Sequence, residues 1–314
     1  MTDAAVQPAR RPNVLRRFID SDIFYSFRRS PLVVAAALVS LLLVLAAVFA
    51  PLLAPQNPFD PAALSIMDSF YPPIWSADGQ AGFLLGSDDQ GRDVLSTILY
   101  GMRISLAVGF ASVVFAMVLG VSLGLIAGYA GGTTDAVIMR IADVQLTFPA
   151  ILTALLIDGV ARALAGPHAY ADIVFSVLVL SIGLSFWVQY ARTVRGSVLV
   201  EANKEYVLAA RLIGIGPITI MFRHVLPNVL GPVLVIATIN LALAIITEAT
   251  LSFLGVGVPS TQPSLGTLIR IGNDFLFSGE WWITIFPGIT LAILALAVNL
   301  LGDWLRDALN PKLR

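Results

Sequence analysis

The 314-residue chain contains no cysteine. That excludes disulfides, a thiolate nucleophile and any thiolate-bound metal. Histidine is nearly as scarce. Only His168 and His224 occur, far apart in sequence, so a histidine-based zinc centre or a Ser/His hydrolase lacks its usual parts. There are two lysines, Lys204 and Lys312, and neither follows a glycine. The G-x-x-x-x-G-K-[ST] loop that cradles nucleotide phosphates is therefore missing. Charge is thin throughout. Asp, Glu, Lys and Arg make up 12% of the residues, where a soluble domain carries about 25%. The formal net charge of −1 provides no basic field for nucleic acid.

Hydrocarbon fills the chain instead. Hydrophobic residues account for 57%, and mean hydropathy is +0.86. So few polar groups cannot cover a globular surface, which makes lipid the solvent. A membrane helix needs about 20 mostly apolar residues. Six stretches qualify or nearly do: 31–54, 104–128, 136–157, 173–190, 229–247 and 281–302. The expected fold is an all-α polytopic membrane protein with six transmembrane helices. The first stretch exceeds the roughly 7–15 residues of a cleavable signal core, and Arg10 and Arg11 lie some distance before it. It reads as an uncleaved span.

Lys and Arg favour the cytoplasmic side. Arg10, Arg11, Arg16, Arg17, Arg28 and Arg29 precede the first span, so segment 1–30 is expected inside. Six crossings return the tail 305–314, with Arg306, Lys312 and Arg314, to the same side. Arg192, Arg195, Lys204, Arg211 and Arg223 also fall inside. The outer loops hold Arg92, Arg103, Arg162 and Arg270. Segment 55–101 is then external. Its Asp88, Asp89 and Asp93 lack the spacing of a calcium loop, and the segment reads as a polar, turn-rich surface.

A core of five spans is expected over 102–304. Gly120, Gly124 and Gly128 repeat every fourth residue and would let another helix backbone approach closely. Glu248 is costly within a span. With Asn240 and Ser252 it is a candidate for the translocation path, although a structural hydrogen bond or an interface role is the favoured account of Glu248. Arg140 and Asp143 are spaced for an intrahelical pair. Pro149 and Pro287 are expected to kink or open their helices.

One stretch fits none of these classes. "EYVLAARLIGIGPITIMFRHVLPN", 205–228, interrupts the apolar spans on the cytoplasmic side. Tyr206, Ala209, Ala210 and Ile213 have the spacing of one helical stripe, as do Ile218, Met221, Phe222 and Val225. Gly214 and Gly216 break the first helix, and Pro217 suits the first turn of the second. The pattern alone fits a helix pair resting on lipid or an element that docks into a partner.

"AARLIGIGPITIMFRHVLPN" resembles the cytoplasmic Glu-Ala-Ala motif of ABC importer permeases. Ala209, Ala210, Gly214, Leu226 and Pro227 stand in its register. "LGSDDQGRDVLSTILYGMRISL", "GLIAGYAGGTTDAVIMRIADVQLTFPAIL", "LSFLGVGVP" and "WWITIFPGITLAILALAVNLLGDWLRDALNPKLR" resemble the C-type permeases of dipeptide and oligopeptide importers. The likeness runs from about Arg28 onward. Two positions depart from it. Leu208 stands where the motif usually has its glutamate, removing a carboxylate a partner could contact. His224 stands where the broader superfamily usually has isoleucine.

The resemblance implies a type I importer permease in the bacterial cytoplasmic membrane, with a coupling helix between spans 4 and 5 (region 203–228). It implies coupling to an ATPase through Ala209, Ala210, Arg211, Gly214, Arg223, His224, Leu226 and Pro227. Small residues there would seat the helix deeply in the ATPase cleft. It further implies two separate ATP-binding subunits holding ATP and Mg, a second homologous permease, and an extracytoplasmic binding protein delivering peptide. This chain would have no catalytic residue, cofactor or metal of its own. Relatives of this type handle dipeptides, oligopeptides, nickel complexes and opines, so the solute stays open. The competing reading is a self-sufficient proton-driven transporter. It would need a carboxylate relay, for which only Glu248 and Asp143 are available, and no inverted repeat stands out. A membrane enzyme is weighed against by the missing metal-ligand clusters.

Overall fold

A computed structural model describes residues 22–60 and 64–309. Arg10, Arg11, Arg16, Arg17, Lys312 and Arg314, on which much of the expected orientation rests, lie outside the described residues. Among the described residues the regular elements are helical, and a lone antiparallel bridge joins Ser87 to Asp93.

A short basic helix, α1 (Asp22–Arg29), leads into α2 (Pro31–Val48), whose first turn holds Pro31 where no amide partner is needed. Then come α3 (Val94–Ala130), α4 (Gly132–Thr147) and α5 (Ala150–Glu201). The small α6 (Glu205–Leu212) precedes α7 (Leu226–Phe253), α8 (Leu265–Phe275) and α9 (Trp282–Leu309). Among the described residues, five helices are long and apolar enough to cross a membrane: Pro31–Val48, Val94–Ala130, Ala169–Glu201, Pro217–Phe253 and Trp282–Ala308. A sixth crossing exists only if Gly132–Thr147 and Ala150–Gly166 are taken together, and these two meet at 94°.

That bend corrects the expected straight span over 136–157. Pro149 lacks an amide hydrogen and caps α5 with non-helical backbone. The residue before a proline is pushed out of the helical region, and Phe148 is extended at φ −96°, ψ 132°. The chain turns there, and α4 packs through Ala142 against Trp187, Val188 and Ala191 in the far half of α5. Gly166, at φ 72°, breaks α5 again. The piece between the two breaks is held to the end of α7. Asp158 accepts from the Tyr170 hydroxyl and, at 2.8 Å, from Arg162 Nε, while the same guanidinium donates to the Gly255 carbonyl at 3.0 Å. Pro287, in contrast, lies inside α9, which continues through it.

The centre of the fold is the α3–α5 seam. A Cβ at Gly120 would collide with the Trp187 carbonyl, and one at Gly124 with the Ala191 carbonyl. At Gly128 it would sit 2.8 Å from the Val198 Cβ. The glycine repeat thus lets two backbones touch along about two turns, and Leu125, Tyr190 and Val194 close around the seam. A second core joins α2, α3, α8 and α9 through Ala47, Met102, Leu268 and Leu294.

Within segment 55–101, the stretch around Asp88, Arg92 and Asp93 is not the polar surface expected of it. Arg92 is 1% exposed, and its Nε donates to Asp88 Oδ2 at 2.6 Å. Its guanidinium also reaches the Ser260 carbonyl at 2.8 Å. Asp88 Oδ1 accepts the backbone amides of Gln90 and Arg92, each at 2.9 Å. Trp282 Nε1 donates to the Ser87 carbonyl at 3.0 Å. A buried charge is tolerable only when paired, and here one arginine binds both the nearby Asp88 carboxylate and the distant Ser260 carbonyl. Asp93 caps α3, accepting from the Ser96 amide at 2.8 Å. Burial holds the Asp93 carboxyl above its usual range, against the Ser96 bonds that lower it.

Candidate coupling site

Segment 201–228 leaves α5, forms α6, turns, and re-enters α7. Lys204 is extended, so α6 starts afresh at Glu205. It ends at Gly214, whose φ of +83° is the left-handed conformation that side chains disfavour. No atom lies within 4 Å of a Cβ built there. Gly214 therefore acts through its backbone, not by close packing inside this chain. Pro217 opens the next helical turn and Pro227 the first turn of α7.

The face that packs differs from the expected stripe. Val207 and Ala210 point inward, joined by Ile220 and Val225. Tyr206, Ala209, Arg211 and Gly214 are exposed, and Leu212 and Ile213 are 88% and 76% exposed. In the second piece Ile218 and Phe222 face outward, while Met221 is partly buried. Residues Ile220–Val225 are wound as a π-helix, so the 3.6-residue spacing that joined Ile218 to Val225 fails there. The result is an apolar ridge, Leu212, Ile213, Ile218 and Phe222, on the outside of a helical turn.

Polar contacts hold that turn on its spans. Glu201, the last residue of α5, accepts from the Tyr206 hydroxyl at 2.5 Å and pairs with Lys204 Nζ at 2.7 Å. The same hydroxyl accepts from Asn228 Nδ2 at 2.9 Å, and this amide also donates to the His224 carbonyl at 2.9 Å. Burial and the neighbouring Glu201 carboxylate raise the Tyr206 hydroxyl above its usual range. Arg211 places its guanidinium 4.9 Å from the centre of the Tyr129 ring, near the end of α3. Leu226 packs partly inward, whereas Arg223 and Pro227 are exposed.

Next to this turn α4 is fastened to α5. Asp143 pairs with Arg192 at 2.5 Å, not with Arg140 as its spacing suggests. Asp135 takes both Arg195 Nε and, at 2.6 Å, Arg195 Nη2. The bend at Pro149 brings these partners together, and no helical spacing could have paired them.

The three path candidates lie buried inside the chain. Glu248 is 0% exposed, and Asn240 and Ser252 are also buried. Ser252 Oγ donates to Glu248 Oε1 at 2.7 Å, and Ser105 and Ser264 face the same carboxyl. The cause is α8. Gly266, at its start, lies so close to α7 that a Cβ would meet the Ala249 backbone, and this contact covers Glu248. The hydrogen-bonding role is the one the structure displays.

Residues 120–314 match the family described as "Binding-protein-dependent transport system inner membrane component". Residues 21–73 match "N-terminal TM domain of oligopeptide transport permease C". The chain belongs to the binding-protein-dependent permease family. This permease is 38% identical over 307 residues to the "Di/tripeptide transport system permease protein DppC" of Pseudomonas aeruginosa, covering 98% of this chain and 97% of that one. It is 36% identical over 293 residues to the "Oligopeptide transport system permease protein OppC" of Bacillus subtilis, covering 93% and 90%. Its fold is similar to a chain from a structure titled "Inward facing conformations of the MetNI methionine ABC transporter". The TM-score is 0.52 at 19% identity, over 68% of this chain and 96% of that one.

Sequence reasoning missed Glu201, the hydroxyl of Tyr206 and Asn228 in the permease. A signal existed: a carboxylate, a lysine three residues on and a tyrosine five residues on, at the exit of a span. Tyrosine buries its ring while its hydroxyl seeks a partner, so it is a poor choice for a purely apolar stripe.

Proposed function

We propose that this permease carries dipeptides or oligopeptides across the cytoplasmic membrane, powered by two separate ATP-binding subunits. The observation that carries the reading is the ridge of Leu212, Ile213, Ile218 and Phe222. It is apolar, exposed, and set on a turn that Glu201, Tyr206 and Asn228 fasten to two spans. Such a ridge seats in a partner's cleft, and movement of the cleft reaches α5 and α7 as a rigid-body switch between two packings. Ala209 and Gly214 keep the approach low, and Arg211 and Arg223 flank it. ATP and Mg belong to the partner subunits, because this sequence has no phosphate loop. A second homologous permease completes the pathway, and an extracytoplasmic binding protein delivers the solute. The peptide assignment is supported by the names of the relatives. Both termini face the cytoplasm and residues 88–93 face outward, in keeping with the arginine distribution.

The test is reconstitution. The permease purified with its neighbouring subunits is placed in liposomes with binding protein and labelled dipeptide. Uptake that needs ATP and all subunits is the expected result. Proton-gradient-driven uptake by this chain alone would replace the reading with the secondary transporter.

A further inference from the structure

Arg103 belongs to "LYGMRISL", a stretch whose likeness to relatives the coupling mechanism does not explain. Its side chain is exposed on α3, and no carboxylate among the described residues pairs with it. Below it opens a groove of about 340 Å³ between α2 and α3. Val44, Ala47 and Val48 form one wall, Leu106 and Phe110 the other, and Leu241 of α7 the floor. Among the described residues that line the groove, Arg103 is the one that carries a charge.

Depth gives the pair its meaning. Helix α3 has 37 residues, about 55 Å at 1.5 Å per residue. A hydrocarbon core of about 30 Å leaves roughly 12 Å projecting at each end of a helix placed symmetrically. Arg103 lies nine residues after Val94, about 13 Å along the helix. It therefore stands at the edge of the hydrocarbon, where a guanidinium meets headgroups, and the groove runs inward from it into the acyl region. The groove wall from α2 is that helix's last turn, at the same level. Water does not suit an apolar slot, and a solute anion would leave the slot unfilled. A molecule with phosphate at one end and hydrocarbon at the other matches both.

We infer that Arg103 and the α2–α3 groove form a binding site for one diacyl glycerophospholipid, with its phosphate on the guanidinium and one acyl chain between the helices. The inference is independent of which solute is carried.

The test uses the assembled transporter, with native mass spectrometry after addition of phosphatidylglycerol or, separately, glycerol phosphate. The wild type should retain a phospholipid that Arg103→Gln holds about fivefold less well, the effect of one interfacial cation. Arg103→Lys should stay within about twofold, since it keeps the charge. Ala107→Trp, which fills the groove without touching the cation, should remove the lipid while the second permease stays bound. Glycerol phosphate should not be retained. Equal phospholipid retention in wild type, Arg103→Gln and Ala107→Trp would mean annular lipid only and would overturn the site. Retention of glycerol phosphate would make it a free-anion site. Loss of the second permease from the Ala107→Trp complex would make the groove a protein interface.

Discussion

Tyr206 and Glu201 join two helices that the chain separates by a turn: the hydroxyl at the start of α6 donates at 2.5 Å to the carboxylate that ends α5. Because Asn228 of α7 donates to the same hydroxyl at 2.9 Å, one oxygen links the α6 turn to both neighbouring spans. A turn held this way moves with its spans. A turn resting on lipid would need no such bond.

Tyr206→Phe keeps the ring and removes that oxygen. A hydrogen bond to a charged group contributes about 1.5–3 kcal/mol, and Lys204 still accompanies Glu201. The subunit should therefore fold and assemble. ATP hydrolysis by the complex should continue while solute uptake per ATP falls several-fold. The donor persists at every pH below the ordinary tyrosine value of about 10, since burial first and Glu201 second raise this hydroxyl further. The bond, and the coupling that depends on it, should be lost only as pH rises past the raised value. An unchanged uptake-to-hydrolysis ratio in Tyr206→Phe would remove the hydroxyl from the coupling path.

The α3–α5 seam supplies an internal comparison. Gly124 has no room for a Cβ, whereas nothing lies within 4 Å of one at Gly196. Helix propensity favours alanine over glycine by about 0.8–1 kcal/mol at either site. Gly196→Ala should leave the melting temperature in detergent unchanged or raise it. Gly124→Ala should lower it, because the two backbones must separate. Equal shifts in the two variants would argue that the seam is looser than drawn.

Much of this architecture was legible beforehand, for identifiable reasons. Helix existence follows from local apolar length, and the glycine seam from a four-residue repeat. What was missed depends on partners distant in sequence. Arg92 and Asp88 read as surface because charge usually is surface, and only the Ser260 carbonyl from the far end of the chain makes their burial possible. Asp143 looked matched to Arg140 until the Pro149 bend delivered Arg192. The serine that α8 brings to Glu248, Ser264, was not foreseen, because α8, at 11 residues, is too short to register as a span. The ridge was shifted by a π-wound turn at Ile220–Val225, which carries no clear mark in the sequence.

Membrane orientation can be checked by thiol labelling, since the chain has no cysteine of its own. Met67, between α2 and α3, is 87% exposed, and Leu212, at the end of α6, is equally open. An impermeant maleimide applied to intact spheroplasts should modify Met67→Cys and reach Leu212→Cys only after lysis. The opposite pattern would invert the proposed topology.

The buried pair at Arg92 makes a sharper demand. Removing one partner of a buried ion pair strands the other charge and costs about 3–5 kcal/mol. Arg92→Met should therefore sharply reduce the amount of folded permease, and it also releases Ser260 from α3. Asp88→Asn is milder at the backbone, because an amide oxygen can still accept from Gln90 and Arg92 where Oδ1 does now. It still takes away the guanidinium's nearer carboxylate, leaving only Asp89 at 3.9 Å. Combining the two substitutions removes both charges while keeping that acceptor. The double variant should then recover part of the yield lost by Arg92→Met alone, a non-additivity of at least about 1 kcal/mol for residues in direct contact. Thermal unfolding of the four proteins in one detergent measures it. If the losses simply add, Arg92 acts through its bond to Ser260 and its packing, and the pairing with Asp88 contributes nothing of its own.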